Sequence, residues 1–290
     1  MTSRGMGNRM GLYVTRLFPA RQQDLALEGL YLEHDLYSKG NPGKPFVYSN
    51  FITSLDGRIA IADEAHTTHV VPAASANSRD WRLYQELAGQ ADLLVTSGRY
   101  FRQSLLGEAQ DELPLGSSQA FDDIREWRAA RGLSPQPDIA IMSSSLNVPL
   151  AALEPYRERR IFVVTGEQTD ADKIAALRDN GITVIRAGSG IKVNGRRMID
   201  KLAQHDYRSI YAIAGPAVFH TLLESDVVDR LYLTITQQIL GGNSYDTLSR
   251  GNTLQPARGM QLVGLCHDPH APDNAGQLFG IFEPGKQTPA

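Results

Sequence analysis

A chain of 290 residues with 29 Lys plus Arg against 32 Asp plus Glu, and with 42% hydrophobic, 21% charged and 8% aromatic residues, has the make-up of a globular protein with a full core. Disordered, fibrous and mini-protein classes are excluded. A formal charge of −3 supplies no net attraction to phosphate backbones or anionic lipid, so neither nucleic acid nor a membrane is an expected partner.

Cys266, the one cysteine, closes no intrachain disulfide and completes no Cys-rich zinc pattern. No apolar run reaches the ~20 residues needed to cross a bilayer, and Met1 to Ala20 holds no signal-like apolar stretch. The expected setting is a reducing cytoplasm.

Residues 1–45 lack a sustained period and end in the turn-rich Lys39-Gly40-Asn41-Pro42-Gly43-Lys44-Pro45. They read as an extension packed on the surface of a domain spanning 46–290. Within that domain β-branched runs alternate with helical segments. Strands are predicted at Phe46 to Ile52, Asp92 to Thr96, Asp138 to Met142, Ile161 to Thr165, Ile182 to Ile185, Ser209 to Ala214 and Arg230 to Gln237. Helices are predicted at Asn77 to Leu87, Phe121 to Arg131, Asp170 to Asp179 with Gly181 as its stop, Arg197 to Gln204 and Ala217 to Leu223.

Gln103 to Ser118 reads as a long surface loop. The tail differs, because Met260 to Cys266 and Gln277 to Phe282 are strands without an intervening helix and are expected to pair antiparallel at one edge. The pattern predicts an α/β protein, three-layer αβα with a mostly parallel mixed sheet.

In such sheets ligands collect outside the carboxyl ends of the strands. Three strand ends stand out. Ala212-Ile213-Ala214-Gly215-Pro216-Ala217-Val218-Phe219 runs from a strand through Gly-Pro into a helix, whose first-turn N–H groups suit a phosphate. A tight strand-to-helix turn explains the same residues without a ligand. Leu94-Val95-Thr96-Ser97-Gly98-Arg99-Tyr100 places two hydroxyls, a glycine and an arginine after an apolar strand, and the planar fork of Arg99 fits a 2′-phosphate. The bland alternative is a solvated arginine. Thr53-Ser54-Leu55-Asp56-Gly57-Arg58 carries an Asp-Gly pair, which a hairpin turn also explains.

Other candidates carry less. Gly188-Ser189-Gly190 is followed by Val193 where the dinucleotide fingerprint needs glycine. Cys266, His267, Asp268 and His270 crowd together without ordered metal-ligand spacing, so no metal is expected. His66 and His69 share a face only in a helix, which the run Thr67 to Val71 argues against. No Gly-x-Ser-x-Gly elbow is present.

From Lys44 to about Phe282 the chain resembles the reductase domain of bacterial riboflavin biosynthesis, the C-terminal half of the bifunctional deaminase–reductase, with its dihydrofolate reductase-like fold. The residues that carry the resemblance are Pro45-Phe46-Val47 through Ser54-Leu55-Asp56-Gly57-Arg58-Ile59-Ala60, Ala91-Asp92-Leu93-Leu94-Val95 with Gly98, Gly215-Pro216, and Val227-Val228-Asp229-Arg230-Leu231 leading to Ile239-Leu240-Gly241-Gly242. The zinc motif of the deaminase half has no counterpart here, so the resemblance is to a stand-alone member.

The resemblance implies NADPH-dependent hydride transfer that opens the ribose of a phosphoribosylamino-pyrimidine, as in 5-amino-6-(5-phosphoribosylamino)uracil reductase. It implies a homodimer, and an enzyme without a certain catalytic side chain, because hydride chemistry belongs to the cofactor. Cofactor contacts are expected at Ile52, Thr53, Thr96, Ser97, Gly98, Arg99, Gly215, Pro216, Ala217, Val218 and Phe219, and substrate contacts at Ser54, Asp56, His66 and Ile213.

Three departures bear on the substrate. Ile213 stands where the family has a substrate-contacting glutamate, Leu87 and Ala88 occupy the neighbourhood of an expected arginine, and the Asp-Pro-x-Leu-Thr-x-Arg run is replaced by Ser104 to Leu115. The alternatives are therefore a reductase of the same fold acting on another heterocycle such as a dihydropterin, or a non-catalytic nucleotide-binding protein.

Overall fold

A computed structural model describes residues 13–62, 68–109 and 114–285. In chain order these form β1 (Tyr13–Phe18), β2 (Gln22–Ala26), α1 (Leu36–Lys39), β3 (Phe46–Ser54), β4 (Ala60–Ile61), α2 (Ser78–Gly89), β5 (Leu93–Ser97), α3 (Gly98–Leu105), α4 (Asp122–Ala130) and β6 (Asp138–Met142). There follow β7 (Ile161–Thr165), α5 (Ala171–Asp179), β8 (Thr183–Arg186), α6 (Gly195–Ala203), β9 (Ser209–Ala212), α7 (Pro216–Glu224), β10 (Arg230–Thr236), β11 (Tyr245–Asp246), β12 (Met260–Asp268) and β13 (Gln277–Pro284).

The main sheet has 11 strands in the order β2-β1-β12-β13-β10-β3-β9-β5-β6-β7-β8. Every neighbouring pair from β10 to β8 is parallel, and those from β2 to β10 are antiparallel. The central strands are apolar on both faces, as a covered parallel sheet requires. Tyr48, Leu94, Ile139, Val163 and Tyr211 point to one core with Leu87 of α2, Phe101 of α3, Ile124 of α4 and Ile174 of α5. Their chain neighbours Val47, Leu93, Ala140, Phe162 and Ile210 point to a second core with Met198 of α6 and Phe219 of α7. Three layers, αβα, follow from that two-residue alternation.

Helix starts follow local chemistry. The Asn77 side chain accepts the N–H groups of Arg79 and Asp80 at the head of α2, at 3.1 and 2.9 Å, and Asp170 does the same for α5. Gly181, at φ +76°, takes the left-handed turn that stops α5.

Two expectations are corrected. β12 and β13 pair antiparallel, but they are interior strands, since β13 bonds β10 and β12 bonds β1. The edge belongs to β2, whose residues QQDLA are almost all exposed and so show no apolar period. The region read as a loop from Gln103 begins inside α3.

The early segment is fastened from below. Buried Glu86 of α2 accepts the N–H groups of Gly29, Tyr31 and Leu32 at 2.6, 2.8 and 3.3 Å, and Gln90 takes the Leu36 N–H at 2.8 Å. No helix among the described residues is long and apolar enough to cross a membrane.

Candidate active site

β3, β9 and β5 are adjacent and parallel, and the chain leaves their carboxyl ends in different directions. After β5 it enters α3 on the first core's face, and after β9 it enters α7 on the second. Divergence of this kind opens a crevice at the strand ends. A cleft of about 290 Å³ lies there.

Two of the three turns singled out in the sequence, those after β5 and β9, converge on it, while β3 contributes strand residues ahead of the turn Thr53 to Arg58. Asn50 and Ile52 come from β3, Thr96, Ser97 and Arg99 from β5 and α3, and Ile213, Gly215 and Pro216 from the β9–α7 turn. The opposite wall was not foreseen. It consists of Asp80, Trp81 and Tyr84 of α2, Tyr100 and Gln103 of α3, and His69 with Asp246 at the rim.

At the β9–α7 turn, Gly215 is the helix cap and Pro216 the first helical residue. The Val218 and Phe219 N–H groups bond back to the Gly215 carbonyl at 3.1 and 3.2 Å, and both side chains are buried in the core. Phe219 packs on Phe51 with ring centroids 5.0 Å apart. The N–H groups of Gly215 and Ala217 make no hydrogen bond among the described residues and remain available to a ligand. A Cβ on Gly215 would meet no protein atom within 4 Å. Its missing side chain therefore leaves space outside the protein rather than within it.

At the β5–α3 turn, Thr96 is buried and Ser97 caps α3 without using its hydroxyl. Gly98 does not line the cleft; a Cβ there would lie 3.2 Å from the Ser143 hydroxyl oxygen. Arg99 does line it, and its guanidinium makes no ion pair or hydrogen bond among the described residues. An arginine left without a protein partner in a cleft suits an anionic ligand.

The loop after β3 behaves differently. Thr53 is buried, its hydroxyl donating to the Ser54 and Arg58 carbonyls at 3.2 and 3.4 Å. Ser54 donates to Asp56, and Asp56 also pairs with Arg58 at 2.7 Å and accepts the Gly241 and Leu240 N–H groups at 2.8 and 3.3 Å. These bonds, the Ser54 hydroxyl first, lower the Asp56 carboxyl to about 2. Thr53, Ser54 and Asp56 are not among the residues that line the cleft, and His66 lies outside the described residues.

On the new wall, Trp81 and Tyr84 stack with centroids 4.8 Å apart. Asp80, recessed beside them, accepts the Thr234 hydroxyl at 2.5 Å, and removal from bulk water raises its carboxyl to about 6. At the rim β4 pairs with β11, and His69 Nδ1 meets the buried Asp246 carboxylate at 3.0 Å.

The remaining histidines and the cysteine near the C-terminus lie elsewhere. Asp268 is fully buried and engaged by Arg79 at 2.6 Å and Gln277 at 2.9 Å, while burial pushes the Cys266 thiol up to about 11. Among the described residues no group of three or more His, Cys, Asp and Glu is placed to hold a metal ion.

The RibD C-terminal domain family matches residues 45–270, and the chain belongs to that family. No curated protein matches the sequence. A pyrimidine reductase-like protein from Corynebacterium diphtheriae superposes with a TM-score of 0.62 at 19% identity, over 84% of this chain and 93% of that one. The riboflavin biosynthesis reductase Rib7 of Saccharomyces cerevisiae gives a TM-score of 0.56 at 15% identity, covering 89% of this chain and 99% of that one. RibD of Acinetobacter baumannii gives 0.58 at 16% identity over 84% of this chain, which spans 58% of that longer protein. At these identities the likeness establishes the shared fold.

Proposed function

We propose that the protein is an NADPH-dependent reductase of the riboflavin-pathway type, acting on a phosphoribosylamino-pyrimidine in this cleft. The observation that carries the reading is the meeting in the cleft, on neighbouring strand ends, of the Gly215 N–H with Arg99, neither of which has a hydrogen-bond or ion-pair partner among the described residues; the Ala217 N–H, also without one, lies one residue past the cleft-lining Pro216. That donor set fits a dinucleotide phosphate group. When bound, the nicotinamide supplies the hydride that reduces the substrate.

The chain's own residues bind and orient. Gly215 and Ala217 would hold the pyrophosphate and Arg99 a 2′-phosphate, while Ile52 and Thr96 give that side an apolar, partly dry surface. The Trp81–Tyr84 stack faces them as a platform for a flat ring. Ile213 brings no charge to the place where relatives carry glutamate, and this favours a second reading in which another heterocycle is reduced on the same scaffold. A homodimer in the cytoplasm is part of the proposal.

Titration of the protein with NADPH and NADH, followed by a substrate panel read by nicotinamide absorbance, tests the reading. Tight NADPH binding with turnover of the phosphoribosylamino-pyrimidine supports it. Binding without turnover of any substrate leaves a nucleotide-binding protein, and no binding at all removes the cofactor site.

A further inference from the structure

Among the described residues lining the cleft the carboxylates are Asp80 and Asp246. Asp246 is occupied, with His69 on one oxygen at 3.0 Å and Arg250 on the other at 3.5 Å. Asp80 is different. One oxygen takes the Thr234 hydroxyl, and the other makes no hydrogen bond among the described residues. Its neighbour Arg79 turns away to Asp268. The open oxygen is not sealed from solvent, so a ligand donor can take the place of water there.

The position of Asp80 adds to this. It sits on the first turn of α2 beside the Trp81–Tyr84 stack, in the same cleft as Ile213. Ile213 is half-buried and packs against the apolar core, so its side chain offers no acceptor to a polar ring. An acceptor is instead delivered from the helix wall.

We propose that Asp80 is the specificity-determining residue of the cleft, and that it selects a pyrimidine carrying a ring N–H next to an exocyclic amino group. The two carboxylate oxygens match two adjacent donors, and a ring stacked on the Trp81 side would present its edge to them. A ring that offers one N–H flanked by carbonyl oxygens, as uracil does at N3, meets the carboxylate with one donor and two repelling acceptors. The donor pair is found at N1–H with a 6-amino group or at a ring N–H with a 2-amino group, and the two are separable by experiment. This inference rests on reading the cleft as a pyrimidine reductase site.

The groups facing Asp80 restrict its pH behaviour. Tyr31, Tyr84 and Tyr211 have phenols pushed up by burial, so they stay neutral. Arg99, Tyr100 and the His69–Asp246 pair also line the cleft wall. With the Asp80 carboxyl near 6, donor-pair binding is expected to weaken as pH falls from about 8 to about 5.

The test uses the full chain and three fragments, 6-aminouracil, isocytosine and uracil, with dissociation constants measured by calorimetry or ligand-observed NMR. At least one of the two amino-bearing fragments should bind tenfold or more tightly than uracil at pH 8, and which one identifies the ring edge. Asp80→Asn, which keeps an acceptor for Thr234, should erase both the preference and its pH dependence. Asp80→Ala provides a second variant, with circular dichroism as the folding check. Equal binding of all three fragments, no binding by any of them, or an unchanged preference in folded Asp80 variants overturns the proposal. NADPH binding measured in parallel stands or falls separately, so failure of the cofactor reading is distinguishable from failure of this one.

Discussion

Asp56, in the loop after β3, accepts the backbone N–H of Gly241 at 2.8 Å in the loop after β10. One side chain thereby ties together two loops about 185 residues apart in sequence. Asp56→Ala should release the latch, giving faster amide exchange at Leu240 and Gly241 with little change in the melting temperature. The sign of the pH effect follows from the lowered carboxyl: the contribution is present above the ordinary value of 3.8 and lost as pH falls through about 2. Exchange at those amides in wild type should therefore be unaffected by Asp56 titration at neutral pH and rise only in strong acid.

Arg99 predicts nucleotide preference. A charge-assisted pair with a 2′-phosphate contributes about 1.5–3 kcal/mol. Arg99→Ala should weaken NADPH roughly ten- to a hundredfold and leave NADH unchanged. Calorimetry decides it, and equal affinities of the parent for both nucleotides would take Arg99 out of the cofactor site.

Gly215→Val should abolish nucleotide binding while the protein stays folded. Gly215 has ordinary backbone angles, with φ −66°, and its Cβ direction is clear of protein atoms. A branched side chain there fills ligand space without disturbing the core. Normal NADPH binding by the folded variant would move the phosphate site elsewhere.

Glu86 predicts a stability effect. Glu86→Ala leaves three backbone N–H groups and the Arg82 Nε without their acceptor, while Arg82 keeps Asp123 and the Ala120 carbonyl, and a buried donor left unpaired costs about 1–3 kcal/mol. The denaturation midpoint should fall, and protease should cut first within 13–36. A melting curve like that of wild type would show that the segment is held by other contacts.

The strand ends of the site were legible in the sequence because a parallel sheet places them together by topology alone. Asp138–Met142 and Ile161–Thr165 match their predicted bounds, since both are short apolar runs closed by polar residues. The wall from α2 was hidden, because Asp80 and Tyr84, four apart on one helix face, look like any partly polar surface until tertiary packing aims them. At Val218 and Phe219 the backbone N–H groups bond the Gly215 carbonyl, a closure that the residue types alone do not display. β2 escaped notice because an exposed edge needs no apolar alternation, and β1, interior between β2 and β12, because Val14 is its one buried residue.

The strand order also bears on synthesis. β9, made of Ser209–Ala212, inserts between β3 and β5, which the ribosome produces more than a hundred residues earlier. Until β9 has emerged, the flanks of β3 and β5 that it will cover have no partner from this chain. The nascent protein must carry those unpaired strand flanks while more than a hundred further residues are made, which makes the interval before Ser209 its period of greatest exposure to aggregation and chaperone capture.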